Sequence, residues 1–189
     1  MARILMIEPT PNPMAFKLRL DQKVTVGGSK QYNKKEECWD MPVAGKLFDV
    51  HGVESVFLMD DFITVNKTAG GIWDYIFFQA NEILMAAKDI VAIRVGEGGE
   101  FKNLDSDEFD KLPSDQKLSY IDRVIDETIR PGLARDGGNL KIIGLEENIL
   151  RVQYQGACGS CPSSTGATLN YISNMLQSRV SPNIQVIPG

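Results

Sequence analysis

The first part of the chain contains short segments in which hydrophobic and polar residues alternate, the period expected of a half-buried β-strand. AFKLRL at 15–20 has this alternation, and RILMIEP at 3–9 is also strand-like. TPNP at 10–13 separates the two segments, and its prolines predict a turn or an extended loop. Within 52–67, two β-rich runs meet at an Asp-Asp pair, which predicts a hairpin.

Helical patterns accompany these strands. Pro42 suits the first turn of a short helix formed by the VAGKLFDV that follows it. Apolar residues then recur at helical spacing and predict one helix over about 73–90. The intervening GGSKQYNKKEECWDM at 27–41 is polar and without a period, so we interpret it as a loop. Together these elements predict an α+β unit.

The second part of the chain predicts the order α-β-β-α-β. Ser114 can cap a helix that has a regular apolar stripe. DGG at 136–138 predicts the turn into a β-hairpin, and we expect its glycines to provide positive φ angles. A helix starting near Pro162 and a short strand at 184–187 complete the pattern.

A glycine-rich, acidic stretch with few large apolar residues separates the two parts. We therefore predict an α+β chain of two small domains, 1–95 and 114–189, joined by a linker over 96–113. The length of 189 residues is sufficient for two domains that each bury a core.

Charge and composition exclude several classes of partner. The formal net charge is −5, and the chain has no basic stretch with interleaved aromatic residues, so we expect no nucleic acid partner. No apolar run reaches the length of a membrane span. The start, MARILMIEP, lacks a secretory or transit pattern, which predicts a cytoplasmic protein, or one of the mitochondrial matrix or plastid if a transit peptide has been removed.

The strongest chemical signal is GACGSCPSST at 156–165, which places Cys158 and Cys161 three positions apart. Three cysteines are too few for a disulfide framework, so we interpret this pair as reactive or metal-binding. Pro162 fits a first helical turn, and the positive end of a helix dipole near Cys161 would favour thiolates.

Three chemistries fit that spacing. An iron–sulfur cluster normally takes four thiolates, so two chains would have to share one cluster. A dithiol that cycles with a disulfide is the second possibility, although a pair placed after a late hairpin is atypical of such sites. A zinc ion held by four cysteines of two chains is the third. The spacing alone leaves all three open, beside the alternative of two buried thiols with a purely structural role.

The remaining candidates have weaker signals. Cys38 is a single thiol beside Trp39, and we interpret it as incidental rather than as a third ligand or a redox-sensitive group. His51 is the only histidine, and we expect a surface or helix-end position for it. Glu146 and Glu147 are expected to be solvated in a hairpin turn. No serine, histidine and acid arrangement or phosphate-binding glycine loop is present, so we expect neither hydrolase nor nucleotide chemistry. We predict that the chain is not an enzyme.

The second domain resembles the NifU C-terminal, or Nfu-type, iron–sulfur domain. The resemblance runs from about 120 to 186 and rests on IRPGLARDGGNL at 129–140 and GACGSCPSSTGATLNYISNML at 156–176. The first domain is similar to the N-terminal domain of Nfu proteins, as TPNPMAFKLRL at 10–20 and PVAGKLFDVHGVESVFLMDDFITVNK at 42–67 indicate. The loop near 28–40 is longer than that family usually has.

The resemblance implies a carrier or late-acting scaffold that binds a [4Fe-4S] cluster between two subunits and passes it to apo-proteins. It implies Cys158 and Cys161 as the ligand pair, and it favours the cluster over zinc and disulfide chemistry. The implied partners are a second copy of the chain when the cluster is bound, an upstream assembly scaffold and recipient apo iron–sulfur proteins. Two ligands per chain at a subunit junction should also make the cluster labile, as a donor requires.

Overall fold

A computed structural model describes residues 2–87, 90, 92–94, 104–159 and 165–189. These residues form two compact units, each with helices and strands, which confirms the α+β class. The described part of the first unit lies within 2–94, 136–138 and 155–159. That of the second unit lies within 104–135, 139–154 and 165–189.

The first unit is built on an antiparallel sheet with the strand order β1-β2-β6-β5-β4. A separate parallel pair consists of β3 and β7. The described strands are β1 (Ile4–Pro9), β2 (Ala15–Leu20), β3 (Thr25–Val26), β4 (Ser29–Tyr32), β5 (Val53–Met59), β6 (Phe62–Lys67) and β7 (Ile93–Arg94). The predicted hairpin is confirmed, because Met59 pairs with Phe62 and Asp60 has the positive φ of 49° that a tight turn requires.

One face of this sheet is apolar and forms the core of the unit. Leu18, Ile63 and Val65 point to this face and are at most 1% exposed. They pack with α1 (Pro42–Phe48) and α2 (Trp73–Ala86), whose Leu47 and Leu84 are fully buried. The strand alternation and the helical stripe read from the sequence therefore meet in one core.

Two predicted boundaries in the first unit were wrong. The segment 27–41 is not simply a loop, because it contains β4 and a 3₁₀ helix over Lys35–Asp40. Tyr32 is fully buried there and its hydroxyl donates to Asp40, a polar contact within the segment that has no periodic signature. Helix α2 ends at Ala86 rather than near 90, since Ala87 has an extended backbone.

The opposite face of the sheet is mainly polar, although it also carries Phe57 and most of it is buried. Because side chains alternate along a strand, this face carries the residues that lie between the core positions. We call it the polar face, defined by the side chains of Lys17, Gln31, Ser55, Thr64 and Asn66. Thr64 is fully buried and Asn66 is 2% exposed.

Glu8 forms a charged cluster with two residues of β2 at the edge of this face. Its carboxylate oxygens lie 3.2 Å from Lys17 Nζ and 2.9 Å from Arg19 Nε. Burial opposes the charged form of Glu8, but the hydrogen bonds from Arg19 and Lys17 outweigh it and lower the pKa of Glu8 from its ordinary value of 4.5. The stabilisation is therefore complete above pH 4.5 and is lost as the pH falls through the lowered pKa.

We expect Glu8→Gln to lower the free energy of unfolding at pH 7 by about 1–3 kcal/mol, because Lys17 is buried and loses its carboxylate. The variant should also lose less stability than the wild type between pH 5 and pH 3. Urea unfolding at both pH values measures the two effects. Glu54→Gln, at an exposed position of β5, is the matched control and should change neither value. An identical pH slope in Glu8→Gln and wild type would contradict the assignment.

The second unit contains most of a three-stranded sheet with the order β10-β9-β8. The helices are α3 (Ser106–Asp110), α4 (Ser114–Thr128), α5 (Arg130–Arg135) and α6 (Thr165–Arg179), and the strands are β8 (Gly138–Glu146), β9 (Ile149–Gly156) and β10 (Gln185–Pro188). The predicted α-β-β-α-β order is present, with α5 as a short addition after α4. Helix α3, with Phe109 buried, lies within the segment that we predicted as a linker.

Arg130 connects the helical and the strand parts of the second unit. Its guanidinium donates to Asp122 at 2.7 Å and to Asp126 at 2.6 Å, both on α4. Its Nη2 also donates to the carbonyl oxygen of Leu140 at 3.0 Å, near the start of β8. Arg130 therefore fixes β8 to α4 close to the point where β8 begins. None of the helices in the described ranges has the length and apolar character needed to cross a membrane.

Candidate metal centre

The predicted cysteine loop follows the end of β9, and Cys158 lies in a turn formed by residues 157–159. Two main-chain hydrogen bonds shape this turn. Ala157 N donates to Gly137 O at 3.1 Å, and Gly159 N donates to Gly156 O at 3.2 Å. Cys158 is buried, with 9% of its surface exposed.

Three glycines allow the chain to pass closely around Cys158. Gly137 and Gly156 have φ angles of 76° and 64°, in the left-handed region that glycine adopts without strain. The positive φ predicted for the two glycines of the DGG turn is thus confirmed at Gly137 and wrong at Gly138, which has no positive φ. Gly138 serves a different purpose, because a Cβ atom there would lie 2.5 Å from Cys158 Sγ and 2.8 Å from Gln155 O. No pattern in the sequence indicates that contact.

Side chains of the first unit bind the main chain next to Cys158. Asn12 Nδ2 donates to Ala157 O at 3.0 Å, and Thr64 Oγ1 donates to Gly137 O at 2.7 Å. Gln31 Oε1 accepts from Gly156 N at 2.6 Å. Asn66 Nδ2 approaches Gly156 O at 3.4 Å, a longer contact. These residues were not among the sequence candidates, since single polar residues in strands, or in a loop in the case of Asn12, have no motif.

Cys161 and Pro162 lie outside the described residues, so the activation of Cys161 at a helix start stays a prediction. Helix α6 is described from Thr165 onward, and its Ile172 and Leu176 are fully buried, as the apolar stripe predicts. Within the described ranges, no group of three or more His, Cys, Asp or Glu side chains lies close enough to hold a metal ion. Cys158 is the described member of the candidate pair.

The other sequence candidates lie elsewhere. Cys38 is 5% exposed, and burial, together with the negative charges of nearby Glu37, Asp40 and Glu36, raises its pKa to about 11. A thiol with that pKa is protonated at neutral pH and is a poor ligand or nucleophile. His51 is exposed in the turn after α1, as predicted. Glu146 and Glu147 are exposed at the β8–β9 turn, also as predicted.

Comparison with protein families gives two matches. Residues 4–89 match the model described as "Scaffold protein Nfu/NifU N terminal". Residues 121–187, which include Cys158 and Cys161, match the model described as "NifU-like domain". The chain belongs to the Nfu family. This confirms the resemblance stated from the sequence for both domains of the Nfu chain.

Curated relatives of this Nfu chain occur in flies. Proteins of Drosophila ananassae and Drosophila virilis, both named "NFU1 iron-sulfur cluster scaffold homolog, mitochondrial", are each 32% identical to it over 172 residues. The alignments cover 90% of the Nfu chain and 58% and 56% of the two relatives. The chain therefore spans somewhat more than half the length of these proteins.

Solved structures similar to the Nfu chain come from staphylococci. The crystal structure of protein SAV1430 from Staphylococcus aureus is 26% identical, with a TM-score of 0.40, and the match covers 43% of this chain and 96% of that one. The solution structure of SeR13 from Staphylococcus epidermidis is 24% identical, with a TM-score of 0.37, and covers 46% of this chain and 99% of that one. Both likenesses extend over less than half of the Nfu chain.

Proposed function

We propose that this Nfu protein is a scaffold and carrier for iron–sulfur clusters. In this proposal Cys158 and Cys161 of two chains hold one labile [4Fe-4S] cluster, which is then passed to recipient apo-proteins. The cluster is cargo, and the protein itself catalyses no reaction. An upstream assembly scaffold would supply the cluster. The observation that carries the proposal is the cysteine pair inside the NifU-like match. The names of the fly relatives support it.

The number of thiols supports the shared site. A [4Fe-4S] cluster normally takes four cysteine ligands, whereas the loop supplies two. Cys38 does not make up the difference, because its thiol is buried and has a raised pKa. Two chains that each contribute Cys158 and Cys161 complete the ligand set. A cluster at such a junction leaves both chains when the junction opens, which is the behaviour expected of a donor.

We expect anaerobic reconstitution with iron and sulfide to give a brown protein with about four irons per two chains. Cys158→Ser and Cys161→Ser should each abolish the bound cluster. Cys38→Ser is the matched control, because it removes a buried thiol outside the loop and should leave the iron content unchanged. Iron and sulfide analysis with size-exclusion chromatography measures these results. A full cluster in Cys158→Ser would contradict the site assignment.

The same samples separate the proposal from the zinc and redox alternatives. A zinc site would give a colourless dimer that contains zinc and exchanges poorly for iron. A thiol–disulfide oxidoreductase would reduce a disulfide substrate as a metal-free monomer, at a rate that depends on both thiols. Elemental analysis of protein purified without oxygen distinguishes these outcomes. Transfer of the reconstituted cluster to an apo-ferredoxin then tests the carrier function.

A further inference from the structure

The sulfur of Cys158 is covered in this structure. The residue is 9% exposed, and its Sγ packs so closely on Gly138 that a Cβ atom there would lie only 2.5 Å away. If the proposed function holds, this sulfur must face a second chain when the cluster is bound. The backbone around Cys158 therefore has to change its conformation before a cluster can bind. The contacts that hold the present conformation control access to the Cys158 thiol.

The polar face of the first unit has the properties of a binding surface. Thr64 and Asn66 lie two residues apart on the central strand β6, and both are at most 2% exposed. Buried hydroxyl and amide groups are costly unless they form hydrogen bonds. The sheet already has an apolar face that forms the core, so these groups on the second face are not needed for that core. Their burial is explained by the groups with which they form hydrogen bonds.

Asn66 Nδ2 donates mainly to Ser55 Oγ of the same face, at 2.8 Å, whereas other polar groups bind main-chain atoms next to Cys158. Thr64 Oγ1 donates to Gly137 O at 2.7 Å, and Gln31 Oε1 accepts from Gly156 N at 2.6 Å. Asn12, which is 2% exposed, donates to Ala157 O at 3.0 Å. These contacts thus hold two backbone segments. One is residues 156 and 157, immediately before Cys158, and the other is Gly137, immediately before β8. Because they involve main-chain groups, they act directly on the backbone position of residues 137, 156 and 157.

Glycine at 156 makes this close approach possible. A Cβ atom at this position would lie 2.9 Å from Cδ1 of Phe57, which is fully buried on the same face of the sheet. Gly137 is equally close, since a Cβ atom there would lie 3.0 Å from Thr64 Oγ1. The loop backbone and the polar face are therefore shaped to each other as well as hydrogen-bonded.

We propose that the polar face, together with Asn12 of the 10–13 loop, acts as a latch that binds the backbone of residues 137, 156 and 157 and keeps the Cys158 thiol covered in the cluster-free chain. Asn12, Gln31 and Thr64 act as positioning residues in this latch. They do not touch a cluster, and they act through the main chain of residues 137, 156 and 157. Weakening the latch exposes the thiol without changing the ligand set.

The test uses a Cys161→Ser background, which leaves Cys158 and Cys38 as the two thiols. Thr64→Val removes a hydroxyl with little change of shape, and Gln31→Met removes the acceptor for Gly156 N. The protein is treated under reducing conditions with a maleimide, and mass spectrometry follows each cysteine, since trypsin places them on different peptides. We expect Cys158 to react about 2- to 12-fold faster in each variant, the factor that corresponds to one lost hydrogen bond.

Cys38 is the internal reference for general loss of stability. It is buried in the apolar core of the same unit, so a variant that merely destabilises the fold would accelerate both cysteines by a similar factor. The latch predicts a change in the ratio of the Cys158 rate to the Cys38 rate. Thr68→Val makes the same chemical change at an exposed position after β6 and should leave the ratio unchanged.

Equal ratios in wild type, Thr64→Val and Gln31→Met would overturn the latch, as would a parallel rise at both cysteines. The maleimide reaction is carried out without iron, so its result does not depend on the reconstitution experiment. Failure to bind a cluster would refute the proposed function and leave the ratio of rates unaffected. An unchanged ratio in a protein that binds its cluster normally would refute the latch alone.

Discussion

Gly156→Ala is expected to reduce cluster binding at least about tenfold, although both cysteine ligands remain. Residue 156 has a φ of 64°, a left-handed conformation that costs a residue with a side chain about 1–2 kcal/mol. The new Cβ atom would also lie 2.4 Å from Gly137 O and 3.0 Å from Gly138 Cα. Neither neighbour is a flexible side chain, so the end of the β8–β9 hairpin has to move, and Cys158 moves with it.

The measurement for Gly156→Ala is the iron content after anaerobic reconstitution, with circular dichroism to establish that the variant is folded. Gly144→Ala is the matched control because it lies in the neighbouring strand β8, where an added Cβ atom meets nothing within 4 Å. The control should bind as much iron as the wild type. A wild-type iron content in folded Gly156→Ala would show that the left-handed turn is not needed to place the ligand.

Gly52→Ala is expected to lower the free energy of unfolding of the protein by about 2–5 kcal/mol. Gly52 has a φ of 92°, outside the range that residues with a side chain normally adopt. A Cβ atom there would lie 2.5 Å from the Cα atom of Gly71, at the point where Gly52 O also accepts a hydrogen bond from Thr68 N. The backbone segments before β5 and after β6 would have to separate.

Urea unfolding at pH 7 measures this loss of stability. We expect the loss in the unfolding of the first unit, which contains Gly52. Gly70→Ala is the matched control, because an added Cβ atom at this neighbouring glycine meets nothing within 4 Å. It should leave the midpoint close to that of the wild type. A similar midpoint for Gly52→Ala and Gly70→Ala would mean that the two backbone segments are not in close contact in solution.

Much of the fold could be predicted because the core follows simple periods. The alternation in β2 and the stripe in α2 bring Leu18 and Leu84 into one core, as the sequence indicates. The same alternation predicts that Lys17 is solvated, yet it is 3% exposed and paired with Glu8. The two-residue period of a strand identifies which residues share a face of a sheet. It does not reveal that the second face of the sheet is also covered.

Only the part of the candidate site that depends on the spacing of residues along the chain could be predicted. Two cysteines three positions apart, followed by a proline, identify the loop without any structure. The contact of Cys158 Sγ with Gly138 depends on the pairing of β8 and β9, which brings residues distant in sequence together. Thr64 and Gln31 lie further away in sequence, and a threonine or glutamine in a strand is common enough to pass without notice.

The burial of Cys38 has a practical consequence for iron chemistry. The thiolate, and not the thiol, is the form of cysteine that binds metal ions. Cys38 is protonated and enclosed by the 3₁₀ helix and α1, with its Cβ atom packed against Gly45. It is therefore not expected to bind iron, so Cys38 should add nothing to the iron content measured after reconstitution.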